Sequence, residues 1–351
     1  MPGMLSKVIA SLVVTVLVIG CASKTPGAPK NVGRSPTTTT ATATTAPARD
    51  PRFTRRDPPP PIVGRWDVTL HNDKGGEAPS WFEIRQSGYR TLVGDYVGNV
   101  GSARPIGRVD FDDATGRLHF AVPPQWERRT DDIVIDGTLQ GDVLRGQTTD
   151  VAGKRVTWDA RRAPALLRAA TLPTQWAEAI ELFNGRDLTG WKPRWSEKPN
   201  GWLVRDGLLV NAKPGNDLLT DRTFGDFKLR AEFRFPPKSN SGIYLRGRYE
   251  AQLEDTAGRE IESHIMGGIY GFLTPSLNAA KPAGEWQTIE ITLLGRAVTI
   301  VLNGERVIDR QAIPGITGGA LDSHEGAAGP ILLQGDHGPI EFRKLTLTPA
   351  K

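Results

Sequence analysis

Two stretches of the chain combine residue types and spacing that could do chemistry. In residues 242–258 the even positions Tyr244, Arg246, Arg248, Glu250, Gln252 and Glu254 are polar, while the odd positions Ile243, Leu245, Tyr249, Ala251 and Leu253 are mostly apolar. An extended chain sends alternate side chains to opposite faces, so the even set would form one polar row. Aromatic faces stack on sugar C–H groups and charged side chains hydrogen-bond hydroxyls, which suits such a row to a carbohydrate. A turn at Arg246-Gly247-Arg248 would break the parity, and a solvated antiparallel face gives the same alternation without any ligand. The second stretch, Gln334-Gly335-Asp336-His337-Gly338, follows an apolar run. Loops of this make-up carry function: the imidazole can serve as acid or base, and the Asp can orient it or bind a cation. A tight turn with an exposed His is the competing account.

The elements that must position these residues read as strands. Alternating runs recur at 66–70, 81–85, 91–96, 106–111, 118–122, 133–139, 143–148 and 155–160, separated by turn clusters such as Asn72-Asp73-Lys74-Gly75 and Asp112-Asp113-Ala114-Thr115-Gly116. Eight short antiparallel strands in about 100 residues predict a small up-and-down barrel or sandwich over 62–165. No catalytic constellation falls inside it, so it reads as an accessory or glycan-contacting module. The 110–116 cluster lacks the terminal Glu of a calcium loop and reads as a turn. A connector at 166–175 leads to a second domain over 176–351. Its sharpest strand, 227–235, is apolar at every odd position. Further strands are expected at 202–205, 208–211, 242–245, 249–253, 286–294, 297–302, 306–309, 331–334 and 340–347, with Trp286 assigned to the core. Asp206-Gly207 and Asn303-Gly304 are hairpin turns that need positive φ. This density of strands argues for a two-sheet sandwich of the jelly-roll kind.

Charge and composition narrow the function classes. The 351 residues carry a net charge of +5, but residues 22–61 alone hold seven Lys/Arg against two Asp. The basicity belongs to this tail, and the folded part gives no ground for a nucleic-acid partner. There is one cysteine, which excludes a disulfide framework or a Cys-based metal centre. Walker, GxGxxG, GxSxG and HExxH patterns are missing, which removes nucleotide enzymes, serine hydrolases of the elbow type and zincins.

The N-terminus reads as an address. Lys7 precedes an apolar run from Val8 to Ile19, too short to span a bilayer and suited to a signal h-region. Leu17-Val18-Ile19-Gly20-Cys21 resembles a bacterial lipobox, which implies a signal peptide at 1–20, a lipid on Cys21 and an outer-membrane anchor facing the periplasm. The Thr/Ala/Pro-rich residues 21–61 bury too little apolar surface to fold and read as a tether.

The second domain contains Leu182-Phe183-Asn184-Gly185-Arg186-Asp187-Leu188-Thr189-Gly190-Trp191, the stretches 227–233 and 240–250, Gly268-Ile269-Tyr270-Gly271, the stretch 282–287, and Gly329-Pro330-Ile331-Leu332-Leu333-Gln334 with Asp336-His337-Gly338. In these pieces and their order it resembles the 3-keto-disaccharide hydrolase domain family, also described as 3-keto-glucoside 1,2-lyase and 3-keto-2-hydroxyglucal hydratase. The resemblance implies an all-β fold, a small β-barrel or sandwich followed by a concanavalin A-like jelly-roll sandwich. It also implies cleavage of 3-keto-glycosides or 3-keto-disaccharides: a carbon-2 proton made acidic by the ketone is removed, the carbon-1 group is eliminated, and water adds. Asp255 and Glu250 are the expected base and acid, in either order, and His337 is the alternative proton carrier. Arg246 or a bound divalent cation would hold the enolate, while Tyr244, Arg248, Gln252, Tyr270, Gln334 and Asp336 would bind the sugar. A sugar 3-dehydrogenase would act upstream. Two departures stand out: the family's aromatic is replaced in 252–258, and Gly335 is inserted before Asp336-His337. The alternative function is a non-catalytic glycan-binding envelope lipoprotein.

Overall fold

The structure, a computed structural model, describes residues 58–127, 129–150, 152–166 and 175–351. The signal segment, Cys21, the tether as far as residue 57 and residues 167–174 of the connector lie outside the described residues. No helix occurs among the described residues.

All eight expected N-terminal strands form. They are β1 (Gly64–His71), β2 (Glu77–Ser87), β3 (Thr91–Val97), β4 (Arg104–Asp112), β5 (Arg117–Val122), β6 (Ile133–Gln140), β7 (Val143–Thr149) and β8 (Arg155–Arg162). Each pairs antiparallel with the next, and β1 closes on β8, giving an up-and-down barrel with no free edge. The barrel is filled by Trp66, Phe82, Ile84, Ile106, Phe120, Leu144 and Trp158. Room for the Trp158 ring comes from the facing pair Gly137 and Gly146, where a methyl group would lie 2.6 Å from the ring in either case.

The second part holds thirteen strands: β9 (Ile180–Glu181), β10 (Trp191–Pro193), β11 (Trp202–Arg205), β12 (Leu208–Asn211), β13 (Leu218–Thr220), β14 (Phe227–Arg234), β15 (Asn240–Leu245), β16 (Tyr249–Glu254), β17 (Gln287–Leu294), β18 (Ala297–Leu302), β19 (Glu305–Ala312), β20 (Leu332–Leu333) and β21 (Ile340–Pro349). One sheet runs β10-β13-β20-β15-β16; the other runs β11-β12-β21-β14-β17-β18-β19, with β9 on β21. Their facing side chains, among them Leu229, Phe233, Ile291 and Phe342 from one sheet and Ile243, Tyr249, Ala251 and Leu333 from the other, make one dry core. The expected turns adopt positive φ, with Asp206 at 52° and Asn303 at 52°. Trp286 corrects its assignment: it is only partly buried and stacks against the guanidiniums of Arg234 (4.8 Å) and Arg343 (4.4 Å), outside the core. The sandwich core also takes in Trp81 and Val97 of the barrel, whose strands turn these side chains outward, and barrel and sandwich form one compact unit.

Candidate active site

The site forms on the face of the five-stranded sheet turned away from the sandwich core. The β15–β16 hairpin closes through three residues, with Arg246 (φ 54°) and Gly247 (φ 69°) in left-handed conformations. An odd-numbered turn keeps cross-strand partners of equal parity, so Tyr244 faces Glu250 and Gly242 faces Gln252. The even row therefore survives the turn, but without its two arginines. Arg246 lies over the Tyr249 ring (5.3 Å) and donates to Gly295 O at 2.6 Å. Arg248 grips both carboxylate oxygens of Asp322 at 2.7 and 3.1 Å and donates to Ala327 O. Both guanidiniums are buried and hold the loops around the hairpin rather than the polar face.

Gly242 is the floor. A methyl group there would lie 2.4 Å from Glu250 Oε1, so the carboxyl leans over the glycine. Gln252 flanks it on one side and Gln334, whose N–H donates to Gly242 O at 2.9 Å, on the other. Gln252 Nε2 donates to Asn240 Oδ1 and Glu254 Oε2, at 3.2 and 3.1 Å. The Oε1 atoms of Gln252 and Gln334 are both buried and have no donor among the described residues. A buried acceptor left unmade costs about 1–3 kcal/mol, and two of them beside a bare glycine suit a ligand rich in hydroxyls.

Glu250 is 3% exposed. Tyr244 Oη lies 2.9 Å from both Glu250 Oε2 and Gly318 O. The phenol has one hydrogen and a carbonyl can only accept, so both contacts are satisfied when the phenol donates to Gly318 and a protonated Glu250 donates to the phenol. Burial pushes the Glu250 carboxyl up to about 8; the Tyr244 hydroxyl, which can donate to the ionised carboxylate, and the His337 charge oppose this, while the nearby Asp336 and Asp217 add to it. Glu250 is thus an acid that still carries its proton at neutral pH.

Asp336 and His337 lie within electrostatic reach of it. His337 Nδ1 pairs with Asp336 Oδ1, and both side chains are about half exposed. That hydrogen bond raises the imidazole above its usual range despite opposing burial. Burial pulls Asp336 upward, but the His337 bond and charge outweigh it and keep the carboxyl low. The extra Gly335 fits a close backbone contact: a methyl there would lie 2.0 Å from Asn216 O, and its N–H donates to Asp217 Oδ1 at 3.0 Å. The insertion thus pins the loop, and the Asp336–His337 pair stays within electrostatic reach of Glu250.

Asp255 is not brought to this cluster. It lies past the end of β16, five residues from Glu250, on the order of 16 Å of extended chain. Its carboxylate accepts the Lys238 N–H at 2.9 Å. Tyr270 does join the face: Ile269 bridges Ala251, and the Tyr270 N–H donates to Glu250 O at 3.0 Å. Asp217 and Arg194 were missed. Arg194 donates to Asp217 Oδ2 at 3.1 Å and to the carbonyls of Gly319 and Ala320, tying the Asp217 edge of the site to the 319–320 loop. Burial raises Asp217. Their only sequence signal was an Asp ahead of a short apolar run. Among the described residues no group of three or more His, Cys, Asp or Glu could hold a metal ion.

A buried proton-bearing carboxyl, a His–Asp pair and unpaired amide acceptors on one sheet face define a carbohydrate-active β-sandwich as the class. In agreement, residues 178–348 match the model of the 3-keto-alpha-glucoside-1,2-lyase-like domain. Among solved structures, a candidate glycosyl hydrolase from Parabacteroides distasonis ATCC 8503 is 26% identical, covers 57% of this chain and 98% of its own, and has a TM-score of 0.42. A second from the same organism is 22% identical, covers 49% and 94%, and has a TM-score of 0.40. No curated protein matches the chain.

Proposed function

We propose that the chain cleaves 3-keto-glycosides by elimination across carbons 1 and 2, followed by hydration of the product. The ketone makes the carbon-2 hydrogen acidic because the carbanion is an enolate. Neutral His337, its Nδ1–H held by Asp336, takes that proton on Nε2. The C2–H electron pair passes into the enolate, then forms the C1–C2 double bond as the C1–O bond breaks. Glu250 gives its proton to the departing oxygen. The products are an alcohol and a 2-hydroxy-3-keto-glycal, leaving imidazolium and carboxylate to exchange their protons through solvent. Since Arg246 and Arg248 are engaged elsewhere, the imidazolium formed at His337 supplies positive charge to the enolate. Gln252 and Gln334 accept ring hydroxyls.

The observation that carries this is the buried Glu250 carboxyl, proton-bearing and bonded to Tyr244, with a His–Asp pair in electrostatic reach. The test is to incubate the purified chain with methyl 3-keto-glucoside or 3-keto-trehalose and follow alcohol release. Release that falls 10²–10⁴-fold in Glu250→Gln, the usual weight of a general acid, is expected. Binding of sugar without release would make the protein a glycan-binding module instead.

The same proposal needs a sugar 3-dehydrogenase upstream, because the ketone must be installed first. It also keeps the chain in the cell envelope, lipid-anchored through Cys21 and facing the periplasm. Radiolabelled fatty acid incorporated by the wild type and lost in Cys21→Ser is the expected result; equal labelling of both would remove the anchor.

A further inference from the structure

We propose that the barrel supplies the subsite for the group that leaves from carbon 1, a second sugar ring. This rests on the elimination proposed above. If Glu250 protonates the leaving oxygen, the departing group lies beyond Glu250 from the Gln252–Gln334 pair. Tyr270, whose N–H donates to Glu250 O at 3.0 Å, borders Glu250, and its neighbour Gly271 meets Ser102 of the barrel.

Ser102 belongs to the loop of residues 98–103 between β3 and β4. The Gly319 N–H donates to Asn99 O at 2.9 Å. A methyl on Gly318 would lie 2.3 Å from Gly101 O, and one on Gly271 would lie 2.9 Å from Ser102 Cβ, so bare backbones meet here. Gly318 is the carbonyl that accepts from Tyr244, which ties the barrel loop to the acid itself.

Ser102 is held across the junction. Its Oγ is 2.6 Å from His264 Nε2, and His264 Nδ1 is 2.5 Å from Glu262 Oε2. Burial raises Glu262, but the His264 bond overrides it and keeps the group a carboxylate, which only accepts. Nδ1 therefore carries the hydrogen, and Nε2 accepts from the Ser102 hydroxyl. The order resembles a hydrolytic Ser–His–acid relay. However, the Ser102 N–H already donates to Gln125 Oε1 at 3.0 Å and is not free to hold an oxyanion. Ser102 is better suited to hydrogen-bond a ligand. The Tyr270 ring meets His264 edge-on at 4.7 Å. Trp126, next to Gln125, lies against Gly101 and is 61% exposed. An exposed indole beside a fixed hydroxyl and a phenol is chemistry for a sugar: the ring face on Trp126, hydroxyls on Ser102 and Tyr270.

The test compares 3-keto-trehalose with methyl 3-keto-glucoside on the full chain. Trp126→Ala should lower the preference for the disaccharide, read as the ratio of the two kcat/KM values, about tenfold, and Ser102→Ala about fivefold. Trp126→Phe should keep most of the preference, which separates stacking from misfolding. Both substrates losing equally, or neither changing, would overturn the subsite while leaving the elimination intact. Saturation-transfer NMR with unoxidised trehalose provides the independent arm. Contact that is lost in Trp126→Ala supports the subsite even if no 3-keto-glycoside is turned over, in which case the elimination fails alone. Silence in both measurements sinks the subsite as well.

Discussion

The barrel and the sandwich are built from the same material, short antiparallel strands with alternating side chains, yet they use glycine in opposite ways. In the barrel, Gly146 makes room for an apolar ring: a methyl there would lie 1.9 Å from Asp136 O and 2.6 Å from Trp158. The interior is filled by apolar side chains, and a pocket of about 190 Å³ opens at one end of the barrel beside Tyr96 and Arg104. In the sandwich, Gly242 makes room for a carboxyl, and the surrounding buried acceptors remain unpaired. One glycine completes a core; the other leaves a place for something that is not protein. Close approach alone therefore does not mark a site. What marks it is the chemistry of the group that approaches.

Swapping each glycine for alanine should break this comparison if it is false. At Gly242 the intruded atoms are the far end of a flexible Glu side chain, which can swing away. Gly242→Ala should cost little stability but displace the acid, lowering kcat on a 3-keto-glucoside about 10²-fold or more. At Gly146 the nearest atoms are backbone, which cannot. Gly146→Ala should lose about 3 kcal/mol or more of stability, seen as a lower midpoint in urea. Equal loss of stability at both positions would show that the two glycines serve the same end.

Much of this arrangement was legible in the sequence, for physical reasons that also explain the gaps. The barrel strands and the long sandwich strands announce themselves because a half-buried strand must alternate. β9, β10 and β13 have two or three residues and are too short to show any period. Tyr244, Glu250 and Gln252 were found because parity survives a three-residue turn, while Arg246 and Arg248 left the row because they are that turn. Asp255 was paired with Glu250 by neighbourhood in sequence, but strand rise separates them. Asp217 and Ser102 were invisible: their contacts, to Gly335 and to His264, span 118 and 162 residues.

A pH profile sharpens the contrast between the acid and its partner. Glu250 must be protonated, so activity should fall as pH rises through about 8. His337 must be neutral, so activity should also fall as pH drops through its raised value, above the ordinary 6.5. The result is a bell with a narrow top. Asp336→Asn removes the hydrogen bond and charge that raise His337, so the acid limb should move to lower pH. The alkaline limb should move the same way by less, because the Asp336 charge adds only a minor part to the burial that raises Glu250. An unmoved acid limb would take His337 out of the base role.

The barrel has one raised carboxyl of its own, and it works on stability instead. Asp67 on β1 is pushed up to about 8 by burial and then by the charge of Glu325, against the pull of Arg65 and Arg296. Glu325 belongs to the sandwich, is fully buried, and binds Arg65 at 2.6 Å and the Tyr249 hydroxyl at 2.9 Å. The sign follows from linkage: a carboxyl whose folded value lies above its unfolded 3.8 is ionised more readily in the unfolded chain. It therefore weakens the fold increasingly as pH climbs from about 4 to about 8. Asp67→Asn cannot ionise. Its melting temperature should exceed the wild type's by about 3 °C at pH 9, an effect of roughly 1 kcal/mol, and the gain should shrink toward pH 5. A gain independent of pH would mean that the barrel–sandwich contact holds no proton, and that buried carboxyl chemistry in this molecule is confined to the sugar face.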